Sequence, residues 1–114
     1  MHELSIVMSI VDVAEEQVRS HQAKEVERID LEIGALAGVD DHALEFAWEA
    51  GVKNTVLERA HRIIHKHKGL AKCLECNQEF EINTLYDPCP LCGEHLLQIL
   101  QGKEMKIQSM VLLN

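Results

Sequence analysis

Residues 26–34 read Val-Glu-Arg-Ile-Asp-Leu-Glu-Ile-Gly. Ile29, Leu31 and Ile33 alternate with Arg28, Asp30 and Glu32, the period of two that turns one face of a strand to a core and the other to water, and Gly34 ends the run. What flanks this strand decides the fold. Upstream, Leu4, Val7, Met8, Val11, Ala14 and Val18 recur at helical spacing, with Ile6, Ile10 and Val13 widening the apolar face and Glu15, Glu16, Gln17 and Arg19 opposite. That pattern predicts a helix from about residue 4 to 20. Downstream, residues 35–53 (ALAGVDDHALEFAWEAGVK) read as a loop and then a helix from about Asp41 to Val52. Asp40 or Asp41 is placed to accept its orphan amides, and Leu44, Ala47 and Trp48, flanked by Ala43 and Phe46, form its buried face.

Farther along, VLERAHRIIHKHKG (56–69) offers a second extended run ending at Gly69. HLLQIL (95–100) and EMKIQSMVLL (104–113) are two more, separated by the turn-like Gln101-Gly102-Lys103. A two-stranded sheet is marginal, so the last stretch, around Glu104 to Leu112, is expected to return and complete the first sheet. The predicted fold class is α/β (α+β-like): a small sheet of about three strands with two helices, interrupted by a cysteine-bearing insert. The corresponding domains are 1–69 with 97–114, and 70–96. A chain of 114 residues that is 46% hydrophobic can bury one modest core, plus a satellite that needs a staple of its own.

The insert carries Cys73-Leu-Glu-Cys76 and, twelve residues on, Cys89-Pro-Leu-Cys92-Gly. Each C-x2-C turn brings two sulfurs to one ion while nearby amides donate to the thiolates, and two such turns close a tetrahedral zinc shell. Asn77 and Gly93, directly after each pair, tolerate the left-handed conformation in which such turns end. The segment between them has too few apolar residues for a core of its own, so the metal must supply much of its stability. A site closed by four cysteines has no open position for chemistry on water. The zinc is therefore structural. Redox action by one C-x2-C pair is the lesser reading, because no thioredoxin-like βαβ context surrounds either pair.

There are 11 Lys+Arg against 19 Asp+Glu, a formal net charge of −8, which repels phosphate backbones and anionic membrane surfaces. With aromatic residues at only 4%, base stacking has little to work with, so nucleic acid is not an expected partner. The sequence contains no apolar run long enough for a transmembrane helix and no secretory signal at its start. The expectation is a cytoplasmic protein, without membrane partners, whose thiols stay reduced. Against the acidic background, residues 59–72 hold five basic residues, no acid and three of the histidines, His61, His65 and His67. No serine or cysteine sits in a nucleophile setting and no Gly-rich phosphate loop is present, so no enzyme is expected.

The chain begins Met1-His2-Glu3. A free α-amine, the backbone nitrogen of His2 and its imidazole can close adjacent chelate rings around one ion, leaving a position for the nitrogen or carboxylate of Glu3. Square-planar nitrogen and oxygen coordination of that kind selects Ni(II) or Cu(II). On these residues alone the plainer reading stands beside it: His2 is a terminal residue, and Glu3 complements the dipole of the first helix. His61, His65 and His67 have chelating spacings that a polar face explains equally well. His95, three residues after Cys92, lies near enough in sequence to stand beside the zinc site, and Asp40 reads as a helix cap.

Taken together, the start MHEL, the stretch LEIGALAGVD, the following LEFAWE, the cysteine motif ending CPLCG and the tail QGKEMKIQSM resemble the HypA/HybF family of hydrogenase nickel-incorporation proteins, in order and over nearly the whole chain. The resemblance implies a nickel metallochaperone with a nickel-binding α/β domain, an inserted zinc ribbon, Zn(II) as structural metal and Ni(II) as transferred cargo. It assigns His2 as principal nickel ligand with Met1 and Glu3 beside it, adds Asp40 as a further ligand, and maps Cys73, Cys76, Cys89 and Cys92 onto the zinc ligands. It also implies transfer with a HypB-type GTPase to the large subunit of [NiFe] hydrogenase, with urease and its accessory proteins as further recipients in some organisms. The inserted ribbon and the returning C-terminal strand would permit exchange between chains, and so a homodimer. One stretch departs from the family pattern: IIHKHKG (63–69) stands where an acidic strand end and a proline are expected. His65 and His67 there could add a transient nickel site or alter docking to the GTPase. A zinc-ribbon interaction or regulatory module without nickel transfer is the alternative.

Overall fold

The computed structural model describes residues 3–114; Met1 and His2, and with them the principal nickel ligand expected from the sequence, lie outside the described residues. Eight elements follow in order: α1 (Glu3–Ser20), β1 (Glu25–Gly34), α2 (Asp41–Gly51), β2 (His61–His67), β3 (Gly69–Cys73), β4 (Glu79–Ile82), β5 (Leu97–Gln101) and β6 (Met105–Leu113). They form two three-stranded sheets, ordered β2-β1-β6 and β4-β3-β5. The C-terminal strand does return to β1, so the expected mixed fold of two helices, a three-stranded sheet and a cysteine insert is the observed one.

β1 is the middle strand of its sheet, and its burial reflects that position. Ile29 and Leu31 are fully buried and Ile33 nearly so, each stabilising the core by about 1.5–3 kcal/mol. The opposite face is drier than simple alternation suggests, because Asp30 is also buried. Its charge is held by the Arg28 fork, with Nε to Oδ1 at 2.7 Å and Nη2 to Oδ2 at 3.0 Å. α1 buries Ile6, Val7, Ile10, Val11, Ala14 and Val18. Leu4, Met8 and Val13, expected in the core, are instead 52%, 41% and 44% exposed. Two overlapping apolar stripes run along this helix, and α2 packs so that Leu4 and Met8 lie at the rim, close to Gly51. α2 buries Leu44, Ala47 and Trp48 as expected, while Phe46 faces solvent.

Two extended stretches also end differently from expectation. Residues 56–60 are not strand: successive turns, with amides of Thr55, Glu58 and Ala60 donating three residues back, carry the chain to His61 and bury Leu57. Gly69 opens β3 instead of closing β2, because it pairs with Ile82 of β4 so closely that a Cβ would stand 2.4 Å from the Ile82 carbonyl oxygen.

The chain divides into two compact units. One comprises the described chain through Leu31, Val39–Ile64 and Ile107–Asn114; the other comprises Glu32–Gly38 and His65–Lys106. In the second, β3 pairs antiparallel with β4 and with β5, placing Ala71 between Phe80 and Ile99 and Cys73 opposite Leu97.

Candidate metal centre

β3 ends in Cys73, and the chain turns there so that the amide of Asn77 donates to the Cys73 carbonyl at 2.8 Å and the amide of Cys73 to that of Gln78 at 2.8 Å. The second cysteine pair repeats the arrangement: the amide of Gly93 reaches the Cys89 carbonyl at 2.8 Å and the amide of Cys89 that of Glu94 at 2.9 Å. Asn77 and Gly93 both adopt positive φ, 65° and 78°. These are the two positions where the sequence calls for left-handed backbone. Two equivalent knuckles result, each with amides free to point at sulfur.

They bring the four sulfurs together. All four Sγ atoms lie within 4.8 Å of one another, Cys73 and Cys92 at 3.6 Å and Cys76 and Cys89 at 3.7 Å, and no disulfide joins them. Four sulfurs at about 2.3 Å from a tetrahedral zinc stand about 3.8 Å apart, so the cluster has the dimensions of one Zn(II) shell. Cys73 and Cys89 are buried while Cys76 and Cys92 are exposed.

The acidities describe a cluster that needs a cation. Burial pushes the Cys89 thiol up, but the amides of Cys92 and Leu91 and the thiols of Cys76 and Cys92 donate to it and prevail, lowering it to about 7. At Cys92 the Glu94 amide favours the thiolate, yet burial and sharing with Cys73, Cys76 and Cys89 win, and the thiol is pushed up to about 12. Cys76 is raised as well: the Gln78 amide opposes the shift, and burial and the Cys89 and Cys73 sulfurs outweigh it. One sulfur ionises early and its neighbours keep protons to satisfy it; a divalent ion takes the place of those protons.

Of the residues proposed at the other end of the chain, Glu3 and Asp40 come together. The Asp40 amide donates to Glu3 Oε2 at 3.2 Å, while Asp40 Oδ1 accepts the Ala43 amide at 2.9 Å as N-cap of α2. Thirty-seven residues separate these two carboxylates in sequence, and nothing in the local pattern joins them. The histidines disperse. His61 is exposed, His65 and His67 are half-buried on β2, and His95 is exposed in the insert. Among the described residues only the four cysteines bring three or more donor atoms into one cluster. Sequence reasoning missed Glu32 as a partner: its Oε1 lies 3.0 Å from His67 Nε2. The signal available was its place on the polar face of β1.

A small mixed α/β fold bearing a tetrathiolate metal ribbon, with the Glu3 and Asp40 carboxylates both accepting amides at the start of α2, defines a class of metal-binding protein. Residues 1–112 match the family model for "Hydrogenase/urease nickel incorporation, metallochaperone, hypA", and the chain belongs to this HypA family. It is 46% identical over 112 residues to the hydrogenase maturation factor HypA of Parabacteroides distasonis, covering 98% of this chain and 97% of that one. It is 39% identical to that of Psychromonas ingrahamii, covering 96% of each. The solution structure of the Ni metallochaperone HypA from Helicobacter pylori superposes with a TM-score of 0.68 at 30% identity, covering 99% of this chain and 98% of that one. Among the described residues no helix is long and apolar enough to cross a membrane.

Proposed function

We propose that this protein carries Ni(II) at its N-terminus and passes it on for hydrogenase maturation. In this reading the Met1 amine and the backbone and imidazole nitrogens of His2 hold the ion, Glu3 and Asp40 supply or steady the remaining position, and the Zn(II) ribbon is structural. The functional division runs between segments 1–69 with 97–114, for nickel, and 70–96, for zinc. The family match over residues 1–112, Met1-His2-Glu3 included, carries the reading. The contact of Glu3 with the Asp40 amide supports it by tying the base of the tip to the start of α2.

A carrier must select its ion and still release it. A terminal amine and imidazole meet both needs, because protons compete for the same nitrogens and a partner can take over donors one at a time. Cargo leaves toward the large subunit of [NiFe] hydrogenase with a HypB-type GTPase as co-carrier, in the cytoplasm, and urease is a second possible destination. No bond of a substrate is made or broken by the protein itself. Titration of Ni(II) into the untagged chain, the His2→Ala variant and a form extended ahead of Met1 tests the site. The tightest Ni(II) binding step is expected in the untagged chain and is lost in the other two; equal affinities in all three refute the N-terminal site.

A further inference from the structure

His65 and His67 stand two apart on β2, so their side chains leave the same face of the strand. On that face His67 Nε2 lies 3.0 Å from Glu32 Oε1, and the other carboxylate oxygen of Glu32 lies 3.4 Å from Lys106 Nζ. The Glu32 and His67 side chains are 18% and 33% exposed; Lys106 is 64% exposed. Glu104 lies close by. Its carboxyl is held below the usual range by its own amide and that of Gly102, and the His67 and Lys106 charges add to this. All of these residues belong to the second compact unit.

We propose that Glu32 and His67, joined by His65, form a second divalent transition-metal site, made of residues that neither the cysteine cluster nor the N-terminal reading uses. Two donors bound to one ion at about 2.0–2.2 Å stand roughly 2.9–3.4 Å apart for right-angle to tetrahedral geometry, and His67 Nε2 and Glu32 Oε1 already have that separation. The ion takes the place of the Nε2 proton. From a neutral ring that proton moves to Nδ1 of the same imidazole, and from an imidazolium it leaves to solvent. His65, one strand repeat back on the same face, lies outside that close pair and joins it by a change of rotamer, giving a two-histidine, one-carboxylate set that suits Ni(II), Cu(II) and Zn(II) over magnesium or calcium. Lys106 is the resident cation. Its ammonium is exposed and its pairing with Glu32 correspondingly weak, so it yields to a divalent ion and competes with it meanwhile.

The site does not depend on the N-terminal reading, and the test keeps the two apart. Ni(II) is titrated into the zinc-loaded, untagged full chain carrying His2→Ala, with zinc content followed by mass spectrometry. One Ni(II) per chain is expected to remain bound, broadening the imidazole proton resonances of His65 and His67. Adding Glu32→Gln or His67→Ala should lower that affinity at least about ten-fold, His65→Ala should weaken it, and Lys106→Gln should strengthen it, zinc being retained throughout. Absence of Ni(II) binding in the His2→Ala chain, or binding indifferent to both Glu32→Gln and Lys106→Gln, overturns the proposal. Retention of full wild-type affinity in the His2→Ala chain counts only against the N-terminal site.

Discussion

Asp40 has two roles that a pair of substitutions can separate. As N-cap, its Oδ1 accepts the Ala43 amide at 2.9 Å; as proposed ligand, it contributes negative charge beside Glu3. Asp40→Ala removes the acceptor at the start of an 11-residue helix, which costs about 1 kcal/mol, within a range of roughly 0.5–2, or about five-fold in the unfolding equilibrium. Asp40→Asn keeps an oxygen at the same place and caps equally well, so its stability should stay within about 0.5 kcal/mol of wild type. The charge is lost in both. Urea unfolding followed by the fluorescence of Trp48, the single tryptophan, buried on α2, reads the cap. Nickel titration of the same proteins reads the ligand. If Asp40 ligates, both variants lose nickel affinity but only Asp40→Ala loses stability; if it only caps, Asp40→Asn matches wild type in both assays. An Asp40→Ala protein as stable as wild type would refute the capping argument itself.

Three further outcomes follow from the packing. Gly34→Ala would put a Cβ 2.0 Å from the Gly102 carbonyl oxygen, whereas at Gly38, with φ +73°, a Cβ meets nothing within 4 Å; chemical denaturation should therefore show Gly34→Ala losing about 3 kcal/mol or more and Gly38→Ala about 1–2 kcal/mol. Zinc retention against a chelator should fall as pH drops, because protons reclaim the four sulfurs, and Cys89→Ser should lose zinc at a higher pH than wild type. Arg62 lies over the Trp48 ring at 5.2 Å and pairs with Glu45, so Arg62→Met should shift Trp48 emission and cost about 1 kcal/mol by urea unfolding.

Much of the site could be read locally. The spacing of the cysteines gives a tetrathiolate shell, and Asn77 and Gly93 at the ends of the two turns adopt the positive φ that their residue types allow. The Glu3 and Asp40 contact could not be read, nor could that of Glu32 with His67, because each joins residues more than thirty apart and no periodicity encodes which neighbour a polar side chain will meet. The partner of β5 was equally hidden: it pairs with β3, the strand that ends in Cys73.

By itself the sequence determined the two helices, the alternating β1, the return of a C-terminal strand and the paired knuckles, since each follows from periodicity, turn residues or ligand spacing within a short window. Only the tertiary structure decided which stripe of α1 is buried, with Ile6 and Ile10 chosen over Leu4 and Met8. It also decided that Asp30 is enclosed on the middle strand, and which acids stand beside Asp40 and His67. The physical reason is the same in each case. Local patterns fix what a segment can bury, and the partner that covers it arrives from a distant part of the chain.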